Sequence, residues 1–203
     1  MSDQQKFRPK PGARDRILDA AYELFSRRGV REVSVDEIIR RSGVAIATFY
    51  RHFSSKNELV EAFLTRREQL WTSESIIESA KQLGSTPRER LLAIFDVFAD
   101  WFERDDFEGD SFVNVLIEMG PQHPLGQTAI THLSHVRAGV EQMAREAGLK
   151  DAADFASSFQ LLMKGAIITS TMGDIEAAYR AKRFAAWLIE QHTPDPAESS
   201  GSE

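Results

Sequence analysis

The stretch SVDEIIRRSGVAIATFYRHF, residues 34–53, predicts two short helices joined by a tight turn. Ser34 and Glu37 have the spacing of a capping box, which starts a helix by satisfying its first amides. Gly43 suits the left-handed backbone conformation of a tight turn. Phe49 and Phe53 are spaced to pack inward, with Val44 beside them. A capped helix, a glycine turn and a second short helix have the spacing of a helix-turn-helix motif.

Helical periodicity continues on both sides of this motif. Ile17, Ala20, Ala21, Leu24 and Phe25 form one apolar stripe on a helix that Gly29 ends. A second capping-box pattern, Ser55 to Glu58, opens a long helix predicted to reach Leu83. Further helices are predicted at 87–104, 111–119, 125–147, 151–172 and 174–192. No strand or hairpin pattern appears, so the predicted fold class is all-α with about nine helices.

The predicted organisation has four parts. Residues 1–12 form a flexible basic arm, 13–54 a helix-turn-helix DNA-binding domain, 55–192 a larger helical domain for ligand binding and dimerisation, and 193–203 a disordered tail. Charge follows this division: residues 1–67 carry 14 Lys and Arg against 9 Asp and Glu, whereas residues 68–203 carry 11 against 22. A positive head on an acidic body favours a duplex-binding module attached to another domain.

Composition excludes several classes of protein and site. The 203 residues include no cysteine, which excludes disulfides, thiolate zinc sites and cysteine nucleophiles. No apolar run approaches the roughly 20 residues of a membrane span. The polar, basic start MSDQQKFRPKPGARDR has no apolar signal core. We therefore expect a cytoplasmic protein.

The stretch Ile17–Leu59 resembles the DNA-binding domain of TetR-family repressors. The matching residues are ILDAAYELFSRRGV, the Ser34 cap, the SGV turn, and TFYRHF followed by Lys56 and Glu58-Leu59. The resemblance places phosphate contacts on Ser34, Thr48, Tyr50, His52 and Lys56. It places base-edge contacts on Ala45, Ile46 and Ala47, with Tyr50 and Arg51 as possible additions. It also implies an inducer pocket among the middle helices and a four-helix dimer bundle from the last two.

The tip of the second motif helix departs from many relatives, which carry polar residues there. Ala45-Ile46-Ala47 can contact thymine methyl groups but cannot form a bidentate hydrogen bond to a base. We therefore expect modest direct readout by this tip. The arm residues Lys6, Arg8 and Lys10, together with DNA shape, are expected to supply part of the specificity.

Aromatic and sulfur-containing side chains between residues 71 and 163 suggest an effector pocket for a small, largely apolar molecule. The candidate lining residues are Trp71, Phe95, Phe98, Trp101, Phe102, Phe112, Glu118, Met119, His132 and Met163. For any one aromatic residue, ordinary core packing is the simpler explanation. His132 and His135 lie three residues apart, a spacing that can hold a metal, but no third ligand follows at a defined spacing. We predict no metal and no cofactor.

The last two helices carry a mixture of small and large apolar residues that predicts a homodimer interface. The predicted interface residues are Phe155, Phe159, Leu162, Ala166, Ala181, Phe184 and Leu188. The alternative is that this surface packs within the monomer. A dimer suits DNA binding because each recognition helix reads one half-site of a palindromic operator.

Three alternatives stay open at this point. An all-α enzyme is one, although the sequence contains no HExxH, GxSxG, Walker or dinucleotide fingerprint. A helical DNA-binding regulator without a ligand is another, since the candidate pocket would then be ordinary core. The third is an activator in place of a repressor, because the sequence does not show where the operator lies relative to a promoter.

Overall fold

A computed structural model describes residues 11–70, 73–105 and 107–195, and within these ranges the chain is all-α. Ten helices are present there: α1 (Ala13–Arg28), α2 (Val35–Ser42), α3 (Ile46–His52), α4 (Lys56–Leu70), α5 (Ser73–Leu83), α6 (Pro87–Phe102), α7 (Ser111–Met119), α8 (Pro124–Glu146), α9 (Ala152–Thr171) and α10 (Ala177–Gln191). The number exceeds the predicted nine because α4 and α5 occupy the segment for which one long helix was predicted. Most of the predicted arm and tail, and Trp71, lie outside the described residues.

Side-chain caps start several helices, in arrangements that differ from the predicted ones. Ser34 Oγ accepts a hydrogen bond from Glu37 N at 3.2 Å. The Glu37 carboxylate does not complete the capping box, because it pairs with Arg28 Nη1 at 2.5 Å. A complete capping box stands instead at α6, where Thr86 and Glu89 satisfy each other's backbone amides. Glu37 thus forms a salt bridge that ties α1 to α2 and does not contact the amide of Ser34.

The first compact unit extends to Thr65. Phe63 of α4 packs edge-on against Tyr22 and Phe25 of α1, with ring centroids 5.5 Å apart in both pairs. The other buried core residues of this unit include Ile17, Ala21, Ile38, Phe49, Phe53, Leu59, Val60 and Leu64. The unit extends beyond the predicted boundary at residue 54 because the first turns of α4 supply part of its core.

The second compact unit begins at Arg66. Its core forms around α6, whose Phe95, Phe98 and neighbouring residues are buried as the sequence predicted. Phe95 packs against Phe159 of α9 at 5.2 Å between ring centroids. Among the described helices, none is both long enough and apolar enough to span a membrane.

Candidate functional site

The turn between α2 and α3 has the geometry that a helix-turn-helix motif requires. Gly43 adopts a left-handed conformation with φ 66° and ψ 29°, and its amide donates to Ile39 O at 3.1 Å. Ala45 then starts α3, since its carbonyl accepts the amides of Thr48 and Phe49 at 2.9 and 3.0 Å. Phe49 is fully buried. The buried side of α3 is thereby held against the unit core, which leaves the opposite side exposed.

The outward side of α3 carries the predicted DNA-contacting residues. Ala45, Ile46, Ala47, Tyr50 and Arg51 are exposed, whereas Thr48, His52 and Lys56 are half-buried. Ser34 is exposed, although its hydroxyl oxygen already accepts the Glu37 amide. The structure therefore brings residues 45–48 and 50–52 to the surface beside the start of α4, while Phe49 between them is buried.

The exposed arginines of the first unit differ in what surrounds their charge. Arg41 of α2 is held by Glu23, with its Nε and Nη2 donating to the carboxylate oxygens at 3.0 and 2.6 Å. Arg28 is held by Glu37 through one contact, from Nη1 to Oε1 at 2.5 Å. Arg51 of α3 forms no ion pair or hydrogen bond with any described side chain. Its guanidinium is thus available to a base edge or a phosphate.

A cavity of about 50 Å³ lies in the second unit. Five predicted lining residues surround it: Phe98, Trp101, Phe112, His132 and Met163. Residues that the sequence reasoning missed complete the lining: Arg67, Ile76, Gly109, Asp110, Ser111, Val136, Lys164 and Ile167. Four of these missed residues are polar or charged, so the cavity is more polar than predicted.

The remaining predicted pocket residues lie elsewhere. Phe102 is buried against Phe107, with their ring centroids 4.9 Å apart. Phe95 packs in the core against α9. Glu118 and Met119 are half-buried at the far end of α7, nearly two turns from Ser111 and Phe112. Phe102, Glu118 and Met119 do not line this cavity, so their role in ligand binding stays a prediction. For Glu118 and Met119 the reason is that only the first turn of α7 contributes lining residues.

Charged groups meet at one side of the cavity. Lys164 Nζ donates to Asp110 Oδ2 at 2.6 Å, while Asp110 Oδ1 accepts the amides of Phe112 and Val113 at 3.0 and 3.1 Å. Burial would raise the pKa of Asp110, but the Lys164 ammonium and these amides outweigh it and hold the pKa below its ordinary value. Asp110 is therefore a carboxylate at neutral pH, committed to capping α7.

Two further polar residues lie beside this ion pair. Arg67 of α4 is buried, donates from Nη2 to Gly109 O at 3.0 Å, and stands 5.8 Å from the ring centroid of Trp101. Ser111 is only 4% exposed, and its hydroxyl has no hydrogen-bond partner among the described residues. A buried hydroxyl without a partner is costly. Its position on the cavity wall indicates where a bound molecule would satisfy it.

His132 lines the same cavity. Its ring stacks on Phe112, with centroids 3.5 Å apart, and Nδ1 lies 3.2 Å from Glu68 Oε1. Burial lowers the pKa of His132, an effect that the Glu68 carboxylate only partly offsets. His135 is exposed, away from this buried ring. Within the described ranges, no three metal-ligating side chains cluster.

The predicted dimer-interface residues are mostly internal. Phe155, Phe159, Ala166 and Ala181 are buried, and Leu162 and Leu188 pack against the same core. Only Phe184 of that set is exposed. The other six contact the second-unit core because α9 and α10 carry apolar residues on two sides. Their place in a dimer interface stays a prediction.

A different apolar surface lies exposed on α9 and α10. Its members are Leu161, Ile168, Met172, Tyr179, Phe184 and Trp187. Leu161, Ile168 and Met172 are spaced along one side of α9, and Gly165 is exposed on that side with open space around its Cα. Large apolar residues grouped on a surface mark an interaction site. We name these residues, with Gly165, the α9–α10 face.

Comparison with known proteins agrees with this architecture. Residues 17–63 match the family model of bacterial regulatory proteins, tetR family. The transcriptional activator FasR of Mycolicibacterium smegmatis is 37% identical over 97 residues, which cover 48% of this chain and 43% of FasR. The transcriptional repressor KstR2 of Rhodococcus jostii is 24% identical over 182 residues, which cover 88% of this chain and 78% of KstR2. The chain spans less than half the length of the curated relatives that match it first.

A solved structure extends the similarity to nearly the full chain. A TetR-family transcriptional regulator from Streptomyces coelicolor superposes with a TM-score of 0.82 at 23% identity, covering 90% of this chain and 96% of that one. At that identity the likeness concerns the fold. It places the same helical architecture after the helix-turn-helix motif as well as within it.

Proposed function

Because the chain belongs to the TetR family of bacterial regulatory proteins, we propose that it binds a palindromic operator as a homodimer and releases it when a small molecule occupies the second-unit cavity. The observation that carries the DNA-binding part is the exposed outward side of α3, with Arg51 unpaired among the described residues. Ser34, Thr48, Tyr50, His52 and Lys56 are assigned to phosphates, and Ala45, Ile46 and Ala47 to base edges.

Arg51 gives the sharpest test of this surface. Duplexes selected from a random library of about 30 base pairs serve as the probe, since two half-sites lie about one helical turn apart. Arg51→Ala should weaken binding to a selected duplex about tenfold or more at fixed salt. Arg88→Ala, which removes an exposed charge from α6, is the control and should bind like the parent. Equal affinities for all three proteins would refute the assignment.

The basic arm is assigned a share of sequence specificity. Lys6, Arg8 and Lys10 lie outside the described residues, so this assignment rests on the apolar Ala45-Ile46-Ala47 tip alone. A protein lacking residues 1–10 should lose part of the ratio between operator and scrambled-duplex affinity, measured at one salt concentration. An unchanged ratio would show that the arm contributes no specificity.

The homodimer is assigned to the α9–α10 face. Exposed Leu161 and Phe184 supply apolar area, and Gly165 between the large residues permits close approach of a second helix. Phe184→Glu should shift the molar mass measured by light scattering from dimer toward monomer and reduce operator affinity. Ile117→Glu is the matched control, since Ile117 is also a large exposed apolar residue but lies on α7. A dimer that survives Phe184→Glu unchanged would argue against this face.

Coupling between effector and operator is assigned to α4. This helix begins at Lys56, a proposed phosphate contact, and carries Arg67 of the cavity wall in its last turn. A ligand that binds two positions of Arg67 with different affinity would shift the equilibrium between DNA-binding and released states. Titration with a molecule shown to occupy the cavity should lower operator affinity. Unchanged operator affinity at a saturating concentration of that molecule would refute this coupling.

Repression is favoured over activation by the extent of the similarities. The repressor KstR2 matches along most of both chains, whereas the match to the activator FasR covers less than half of FasR. A selected operator placed across a promoter should lose transcription in vitro when the protein is added. Placing the operator upstream distinguishes the alternative, because an activator would raise transcription from that arrangement.

A further inference from the structure

We propose that the second-unit cavity takes a small organic monocarboxylate, whose charged end meets Ser111, Arg67 and Lys164 and whose alkyl end meets the aromatic wall. The inference rests on the proposed function in taking this cavity as the effector site. It goes further by naming the charge, size and orientation of the ligand.

The cavity wall carries a buried serine hydroxyl. Ser111 Oγ is buried on the cavity wall and has no hydrogen-bond partner in the described part of the chain. A serine hydroxyl can donate one hydrogen bond and accept others. A ligand acceptor beside it would remove the cost of leaving it unpaired in the interior.

Three charged side chains line the cavity. Arg67 and Lys164 each contribute a positive charge, and Asp110 contributes a negative one. Asp110 has both oxygens engaged, by Lys164 and by two amides of α7. Because Lys164 and the two amides already offset the charge of Asp110, this carboxylate offers a ligand cation less attraction than a free one. The balance of the lining therefore favours an anion.

The rest of the lining is largely apolar. Phe98, Phe112 and Met163 are apolar lining residues, and Phe112 is covered by the stacked His132 ring. Such a wall excludes a highly hydrated ion such as phosphate from the rest of the cavity but suits an alkyl chain. The ligand is therefore an anion at one end and a hydrocarbon at the other.

The volume of the cavity limits the size of the ligand. A cavity of about 50 Å³ holds roughly three to five water-sized groups at about 10–15 Å³ each. Propionate, with five non-hydrogen atoms, fits this range, and butyrate exceeds it by one atom. Each also has a neutral amide of nearly the same shape, which differs in charge and in carrying an NH2 donor where the acid has an acceptor oxygen.

The test measures direct binding to the full chain by ligand-observed NMR at constant ionic strength. The probes are propionate and butyrate, with propionamide, butyramide and n-butylamine as the neutral and cationic counterparts. Carboxylates should bind about tenfold or more tightly than the amides, because charge-assisted hydrogen bonds are the stronger ones. The amine should not bind. Equal affinity for acid and amide, preference for the amine, or no saturable carboxylate binding up to about 50 mM would overturn the proposal.

Two serine variants locate the binding. Ser111→Ala should weaken carboxylate binding about tenfold while leaving the fold intact, since it removes a hydroxyl that has no partner. Ser26→Ala is the matched control: Ser26 Oγ is also buried without a partner among the described residues but lies in the first unit. Ser26→Ala should bind carboxylates like the parent. Loss of binding in both variants, or in neither, would place the carboxylate outside this cavity.

Operator binding is measured separately, so the two proposals fail independently. If carboxylates bind but operator affinity does not change, regulation through this cavity fails and the ligand assignment stands. If another molecule releases the operator and no carboxylate binds, the ligand assignment fails and ligand-controlled DNA binding stands.

Discussion

The ion pair between Lys164 and Asp110 offers a quantitative test of the cavity's electrostatics. Lys164→Met keeps the length of the side chain but removes the ammonium that lies 2.6 Å from Asp110 Oδ2. The chain contains a second Lys–Asp pair at the same distance, Lys182 with Asp96, whose side chains are 35% and 39% exposed. The side chains of Lys164 and Asp110 are 24% and 9% exposed. Lys182→Met is therefore a control with the same chemistry and distance but greater exposure to solvent.

The expected costs follow from this difference in burial. Removing one partner of a fully buried pair costs about 3–5 kcal/mol, and the partial exposure of Lys164 reduces the expected loss to about 2–3 kcal/mol. The exposed pair should lose at most about 1 kcal/mol with Lys182→Met. For a chain of this length, each kcal/mol lowers the melting temperature by about 2–4 °C. Denaturant unfolding followed by circular dichroism measures both free energies, and equal losses in the two variants would refute the argument.

The pH dependence supplies an independent check. In the parent, the pKa of Asp110 lies below its ordinary value, so its stabilising contribution is present at neutral pH and is lost as the pH falls below about 4. In Lys164→Met, burial is no longer opposed by the ammonium, and the pKa of Asp110 should rise. Asp110 is then protonated at a higher pH in the variant than in the parent, which removes the cost of its buried, unpaired charge. The difference in unfolding free energy between parent and variant should therefore narrow on acidification. A difference that widens as the pH falls would contradict the assigned cause.

Three other substitutions test the backbone and the caps. Gly43→Ala should lower the unfolding free energy by about 1–2 kcal/mol, because alanine is strained at φ 66°. An added methyl group meets open space at this position, so backbone strain is the expected cause. An unchanged unfolding free energy would contradict that strain. Gly126→Ala should cost about 1–3 kcal/mol, because the added methyl group would overlap the backbone carbonyl of Gly120; a parental melting temperature would contradict this. Thr86→Ala should cost about 1 kcal/mol by removing the acceptor for the Glu89 amide, whereas Thr86→Ser should retain most of the unfolding free energy.

The helix-turn-helix motif was predictable in detail from the sequence. Its caps, its left-handed glycine and the burial of Phe49 and Phe53 agree with the structure. These features depend on residues a few positions apart, because caps, turns and helical periodicity are local interactions. Even here, Glu37 was predicted to complete a capping box, whereas the fold places Arg28 of α1 close enough to take its carboxylate.

The cavity was only partly predictable. Aromatic composition identified Phe98, Trp101 and Phe112, since large apolar residues are expected in any interior. Composition did not identify Arg67 or Lys164, because a single cation within an amphipathic helix normally lies in solvent. The Asp110-Ser111 pair has the pattern of a helix cap, but that pattern does not reveal a buried hydroxyl without a partner.

By itself, the sequence determined the all-α class, the helix-turn-helix motif and the outward residues of α3, because hydrophobic period and local capping specify them. Only the tertiary structure decided which side of α9 and α10 is core and which is exposed, since both sides are apolar and the sequence cannot show which one the neighbouring helices cover. Only the tertiary structure brought Arg67, Ser111 and Lys164 together, from helices far apart in the chain. Their meeting depends on the packing of α4, α7 and α9, which no local pattern encodes.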